Sequence, residues 1–273
     1  MEFDPDLVRD FEHRGWQRAA ALYRGTFAHA SAPFIEMLLD AAGVAAGMDM
    51  LDLACGPGIV TEAASRRGAA AIGADFSPAM LELARAANPT LHFDEADAET
   101  LPYADAAFDA VVSNFGVHHF PRPPRAIEEM IRVLRPGGRL AFTAWAVPAE
   151  NIAWRLLFDA IRAYGDIDAA KAPPSGGNLG TEDAASRLLV DAGFISVEAA
   201  REAREWPVAS AAALVESLRQ GTVRTAALID AQPKTAMPAI LKSIEAAATP
   251  YRRGDGLAVP IVAILARGTK PGR

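Results

Sequence analysis

The sequence predicts an α/β fold built around a mostly parallel sheet, and three stretches predict it. Residues 50–54 form a short apolar run that breaks at Gly56-Pro57-Gly58 and continues into helix-compatible residues 59–67. Strand, glycine turn and helix in that order open a nucleotide-type βαβ unit. Residues 69–74 form a second apolar strand ending in Asp75, 19 positions after Gly56. An acidic residue at that distance can accept hydrogen bonds from both hydroxyls of a ribose. Strand-like and helix-like runs then alternate as far as Trp145, the pattern of parallel strands joined by crossover helices.

Taken in order, residues 6–24 read as a helix, with Asp4 or Asp6 as cap and Pro5 suited to its start. Leu7, Phe11, Ala19, Leu22 and Tyr23 fall roughly on one face, and Trp16 and Tyr23 are large rings that pack the helix onto the body. Residues 34–43 form a second helix closed by Gly43. The first strand is 48–54 and the first sheet helix 61–67. After Asp75, Ser77 is an N-cap and Pro78 the first position of a helix reaching Ala87. Strand three covers 91–95 and strand four 110–113, ended by Asn114. His118 and His119 lie in the loop that follows, and prolines from 121 to 124 separate it from a helix over 125–134. A tight turn at 135–138 leads into strand five, 139–145. Beyond it come a helix over 151–164, a loop holding Pro173 and Pro174, a helix over 182–192 and a strand over 194–200. Residues 208–250 are alanine-rich and helical, interrupted at Pro233 and Pro238. The last strand is 257–266, where Pro260 suggests a sheet edge or a strand start. The sheet core thus occupies about 47–147, 181–206 and 257–268, with 1–45, 148–180 and 207–253 added around it.

Composition narrows the function. At 273 residues the chain can bury a full core, and 51% hydrophobic with 22% charged residues is ordinary for a globular protein. The net charge of −7, without a lysine/arginine run, argues against a nucleic-acid partner. A single cysteine, Cys55, rules out an intrachain disulfide and suits a reducing cytoplasm. The acidic N-terminus has no signal-peptide core, and no apolar run reaches membrane-spanning length. The expected partner is a small molecule, and the expected assembly a monomer or homodimer.

The glycine loop is a poor dinucleotide fingerprint, because GxGxxG needs glycine where this chain has Thr61. Asp52, Ala54, Gly56 and Gly58 together with Asp75 resemble the class I S-adenosylmethionine (SAM) dependent methyltransferases. Their loop reads acidic-x-Gly-x-Gly-x-Gly; Ala54 stands for the first glycine, a minor change that leaves room for a ligand. Residues 128–138 resemble the segment before strand five of small-molecule methyltransferases, similar to the ubiquinone/menaquinone-biosynthesis-like superfamily.

This resemblance implies a Rossmann-like sheet of seven strands in the order 3-2-1-4-5-7-6, the last antiparallel, with helices on both faces and a helical lid. It implies a lid over residues 1–45 and a methyltransferase domain over 46–273, with substrate-lid insertions at about 148–180 and 207–253. It also implies SAM as cofactor and S-adenosylhomocysteine as its product. The residues implied to hold them are Asp52, Ala54, Gly56, Gly58, Asp75, Phe76, Met80, Asp97, Ala98, Asn114 and Tyr23. Among these, Met80 would lie against the adenine, Asp97 on its amino group and the Ala98 N–H on a ring nitrogen.

Methyl transfer from a sulfonium is a direct displacement, so the protein must align the reactants and exclude water. A base is needed only when the nucleophile arrives protonated. His118 and His119 are the candidates, and at most one points into the cleft. His13, His29 and His92 are structural, Glu128 and Glu129 form a solvated face, and no cluster has metal-ligand spacing. Asn114-Phe115-Gly116 lacks the signature of enzymes that methylate nucleic-acid amino groups, and one cysteine cannot serve arsenic or pyrimidine carbon-5 methylation. The expected reaction moves a methyl group to an oxygen, or a carbon or nitrogen, of a small and largely apolar acceptor. A non-catalytic SAM-binding protein and an NAD-dependent oxidoreductase are the alternatives.

Overall fold

In the computed structural model, which describes residues 3–272, the two landmark strands lie side by side. β1 (Asp49–Leu53) pairs in parallel with β2 (Ala70–Asp75) on one side and with β4 (Phe108–Asn114) on the other. β3 (His92–Glu95) joins β2, and β5 (Leu134–Trp145) joins β4. β6 (Ile195–Val208) and β8 (Gly256–Thr269) complete the sheet, and β7 (Arg252–Arg253) is a two-residue partner of β8. The order is β3-β2-β1-β4-β5-β8-β6, with β8 antiparallel to both neighbours. The seven-strand order expected from the resemblance is therefore present.

Helices cover both faces. α3 (Ile35–Ala41) and α4 (Ile59–Arg66) bury Leu38, Leu39, Val60 and Ala64 against Met50, Ala110 and Val112. α6 (Pro123–Val133) and α8 (Glu182–Asp191) bury Ile127, Met130 and Leu189 against Leu51, Val111 and Phe142. Alternation along β1 and β4 divides these two cores, as a strand's side chains point to opposite faces in turn. α5 (Pro78–Ala87) starts where expected, with Ser77 Oγ accepting the Met80 N–H at 3.3 Å.

A third core lies beyond the sheet. α2 (Ala28–Ser31), α7 (Ile152–Tyr164), α9 (Ala211–Gly221), α10 (Arg224–Asp230) and α11 (Met237–Ala247) surround the far ends of β6 and β8. Trp206, fully buried, anchors it. Among the described residues no helix is long and apolar enough to cross a membrane.

Several elements differ from the sequence-based expectation. α1 (Pro5–Tyr23) is capped by Asp4, but its inner stripe is Val8, Glu12, Gly15 and Ala19, whereas Leu7 and Leu22 are 48% and 49% exposed. α3 packs with the sheet helices, with Ile35 at its start also lining the pocket described below. The 135–138 turn falls inside β5 as an irregularity opposite Phe108 and Ala110. β6 runs to Val208, well past residue 200. Pro260 is inside β8, not at its start, and on a locally open edge of the sheet. It lies where β8 outruns β5, so β8 there is bonded only to β6 and the missing N–H is tolerated. The 208–250 helix breaks at Thr222, and Pro238 sits in the first turn of α11 instead of interrupting it. Glu129 is buried: it accepts the Leu101 N–H at 2.9 Å and pairs with Arg132 at 2.8 Å.

Gly58 shows how the glycine loop is packed. Its φ is +79°, and a Cβ there would lie 2.8 Å from the Phe93 ring and 3.2 Å from Ala84 Cβ. Gly137 has the same φ, but a Cβ there meets nothing within 4 Å. Gly58→Ala should therefore cost about 2–4 kcal/mol and Gly137→Ala only about 1 kcal/mol, read from urea unfolding midpoints. Equal losses would show that φ alone matters and that the Phe93 contact does not.

Candidate functional site

A pocket opens at the carboxyl ends of β1, β2 and β4, with about 1090 Å³ of empty space counted out to its mouth. Open α/β sheets bind ligands at this edge. The glycine loop forms its floor, aromatic rings form its inner wall, and α1 forms its roof.

The floor begins with a strained residue. Ala54 has φ +59°, a left-handed conformation that costs an alanine about 1–2 kcal/mol. Replacing the family's first glycine is therefore not neutral for the backbone. At Gly56 φ is +52°, and the nearest atom to a Cβ would be Met80 Sδ at 4.0 Å. Gly56 also lines the pocket, so the space such a Cβ would take is ligand space.

Two carboxylates frame this loop. Asp75 is buried; its Oδ2 accepts the Gly56 N–H at 2.9 Å and its Oδ1 the Ser77 N–H at 2.8 Å. Each oxygen retains a second lone pair for a hydroxyl donor. Burial pushes the Asp75 carboxyl up to about 6, against the pull of those N–H groups. Asp52 is wholly buried, and its Oδ2 accepts the Thr61 hydroxyl at 2.6 Å while Oδ1 has no partner. Burial raises it to about 7. A buried carboxylate oxygen without a donor is costly unless a ligand supplies one. An ammonium at Asp52 and a ribose at Asp75 satisfy both groups, so these residues fit the amino-acid and ribose parts of SAM.

The inner wall is aromatic. Phe115 has φ +59° and is held by stacking on Trp145, with centroids 3.8 Å apart and planes 15° apart. Its N–H donates to Thr143 Oγ1 at 2.9 Å. Thr143 Oγ1 in turn donates to Asn114 Oδ1 at 2.7 Å, which fixes that amide at the pocket edge. Tyr23, Phe27 and Trp16 continue the wall from the N-terminal segment. Burial raises the Tyr23 hydroxyl above its usual range, and that hydroxyl lies 3.3 Å from Ser31 Oγ.

The roof is latched at three points. Gln17 Oε1 accepts the Ala79 N–H at 3.0 Å and the Ser77 hydroxyl at 3.2 Å. Arg9 donates to Asp97 at 2.9 Å and to Glu99 at 3.0 Å, and Arg122 holds Glu99 from the other side at 2.6 Å. Glu12, fully buried, meets His119 Nδ1 at 3.0 Å and accepts from Arg224 Nε at 2.8 Å. Trp16 sets its edge against the His119 ring, centroids 4.9 Å apart.

The structure gathers Asp52, Ala54, Gly56, Asp75, Phe76, Met80, Asp97, Ala98, Asn114, Tyr23 and His119 around this one pocket. Gly58 and His118 do not line it. Gly58 faces Phe93 and Ala84, so it serves helix packing. His118 is turned into the protein with Nδ1 buried and unpartnered, and burial depresses its basicity well below the ordinary histidine range. Arg9, Glu12, Gln17 and Arg224 have no motif. The one available signal is Glu12, an acid on the stripe between Val8, Gly15 and Ala19.

The profile of a family described as a methyltransferase domain matches residues 51–142. An uncharacterised protein of Mycobacterium tuberculosis is 39% identical over 148 residues, covering 53% of this chain and 53% of that protein. The demethylmenaquinone methyltransferase of Paenarthrobacter aurescens is 38% identical over 123 residues, covering 45% of this chain and 48% of that enzyme. The chain thus spans about half the length of the curated relatives it matches. Among solved structures, the YcgJ protein of Bacillus subtilis superposes with TM-score 0.60 at 17% identity, over 89% of this chain and 100% of that one. A Haemonchus contortus phosphoethanolamine N-methyltransferase in complex with SAM superposes with TM-score 0.54 at 19% identity, over 88% of this chain and 52% of that one. These similarities establish the α/β fold of class I methyltransferases.

The unpaired Asp52 gives a sign for pH dependence. Its folded-state pKa of about 7 lies above the ordinary 3.8, so the cost of ionising it is absent below about pH 4, grows between the two values and is full above pH 7. Asp52→Asn should raise stability by about 1–3 kcal/mol at pH 8 and leave it unchanged near pH 4. Thermal unfolding of both proteins across pH tests this; a variant less stable at pH 8 would show that the carboxylate has a partner in the protein.

Proposed function

We propose that this chain, which is related to the class I SAM-dependent methyltransferases, binds SAM in the pocket above β1 and β2 and methylates a small, largely apolar acceptor. The observation that carries the reading is the pair of buried carboxylates around the glycine loop, Asp52 with an unpartnered oxygen and Asp75 with spare lone pairs. When bound, SAM supplies a methyl group already attached to its leaving group. Asp75 binds the ribose, Asp52 the ammonium, and Met80, Asp97 and Ala98 receive the adenine. The Gly56 backbone allows close approach of the ligand.

The acceptor is expected against the aromatic wall formed by Tyr23, Phe27, Phe115 and Trp145. Such a wall favours a flat, apolar molecule and excludes water from the reacting atoms. The N-terminal helix and the segments within 148–180 and 207–253 act as the lid that selects it. His119 is the candidate base for a hydroxyl acceptor, because it lines the pocket and His118 does not. Its role is to take the acceptor's proton at Nε2 while Nδ1 stays on Glu12. Oxygen is therefore the first choice of methylated atom, with carbon or nitrogen as alternatives. A net charge of −7 favours a small acceptor over a nucleic acid.

Calorimetric titration with SAM, S-adenosylhomocysteine and NAD tests the reading. Micromolar binding of the first two without a response to NAD is expected. Asp75→Ala should cost about 2–4 kcal/mol of SAM affinity through two lost charge-assisted hydrogen bonds. Unchanged affinity in that variant would move the cofactor elsewhere.

A further inference from the structure

Glu12 is the one carboxylate of α1 with no exposed surface. Nothing in a roof helix requires a buried charge, and an uncompensated one is costly. Its two oxygens are used separately. Oε2 meets His119 Nδ1 at 3.0 Å, and Oε1 takes Arg224 Nε at 2.8 Å. Arg224 is itself fixed: Nη1 donates to the Pro173 carbonyl at 2.5 Å, and its guanidinium lies 5.5 Å from the Phe11 ring centre. The approach of α1 to α10 depends on Gly15, one turn beyond Glu12, where a Cβ would lie 2.3 Å from Val223 Cγ1.

We propose that Glu12 is a positioning residue for His119, holding the imidazole with its proton on Nδ1 so that Nε2 presents a lone pair to the pocket. This rests on His119 being the base of the proposed methyl transfer. A carboxylate can only accept at this contact, so the nitrogen facing it must carry the proton. Arg224 meets the other oxygen of Glu12, so both carboxylate oxygens have a nitrogen partner. During reaction the proton leaving the acceptor's hydroxyl is taken by Nε2, and the resulting imidazolium keeps its Nδ1–H on Glu12. The charge balance favours this. Glu12 and Arg224 cancel, so the neutral imidazole adds none, and the imidazolium gains the facing carboxylate. The other charged or titratable groups around His119 are His118 beside it, ring centroids 4.1 Å apart, and Asp75 across the pocket. Because Glu12, His119 and Arg224 come from three separate segments, the base is aligned only when α1 and α10 are both docked.

The test begins without an acceptor. Long-range 1H–15N NMR of the full chain at pH 8 should show His119 with Nδ1 protonated and Nε2 bare; a proton on Nε2 in the wild-type protein would overturn the proposal outright. Glu12→Gln should release the single tautomer, because an amide can also donate at this contact. With SAM as donor and 1,4-dihydroxynaphthalene as acceptor probe, Glu12→Gln should lose roughly 10- to 100-fold in kcat. SAM affinity should stay within about two-fold of wild type. In a His119→Gln background, Glu12→Gln should cost nothing further. A loss additive with His119→Gln would make Glu12 a strut and end the proposal. A locked tautomer with no methyl transfer to any hydroxyl acceptor would instead leave the Glu12–His119 pairing standing and remove the base reading.

Discussion

A carboxylate cannot be buried without donors, and the burial of Glu12 organises the N-terminal half of the site. Its partners are 107 and 212 positions away in the chain. To satisfy one side chain, the first helix, the loop after β4 and the start of α10 must all arrive together. Phe11, Gly15 and Pro173 make the same meeting possible from three sides. The sheet would form its parallel ladder without this contact, but the roof would be held by the Gln17 and Arg9 latches alone.

The pocket edge carries local unfavourable geometry. Ala54 and Phe115 both adopt left-handed backbone conformations, at the carboxyl ends of β1 and β4. Ala54 is held by the tight packing of Gly116 near its Cβ, and Phe115 by its stack on Trp145. Asp52 adds an unpaired buried oxygen between them and the loop helix. Strain and unsatisfied polarity at one edge of an otherwise well-packed sheet are what a prearranged ligand site looks like before it is filled.

The sheet was legible because its signals are local. Glycine punctuation after β1, an acid after β2, and Ser77-Pro78 at the start of α5 each act within a few residues. The floor of the pocket followed for the same reason. The roof was not legible, because Arg9, Gln17 and Glu12 find their partners across the fold and look like an ordinary polar helix in sequence. Choosing the apolar face of α1 from Leu7 and Leu22 led away from the inner stripe, which holds a glycine and an acid. Glu129 misled in the same way: burial depends on the Leu101 N–H and Arg132, which no pattern of charges reveals. The difference between His118 and His119 rests on the rotation of one short turn, which lies below the resolution of sequence reasoning.

The place of β8 has a consequence for how the chain is made. β6 bonds to β8 alone, and β8 sits between β6 and β5. While the ribosome is still extending the helices that follow β6, that 14-residue strand has no ladder partner on either side. Two open edges on a nascent strand invite pairing with a neighbouring chain. β6 carries Glu198, Arg201, Glu202, Arg204 and Glu205 along its length, and charges of this kind discourage such encounters until β8 emerges and inserts. The same charges stay on the open edge strand of the finished sheet, where they disfavour edge-to-edge pairing as they do on the nascent strand.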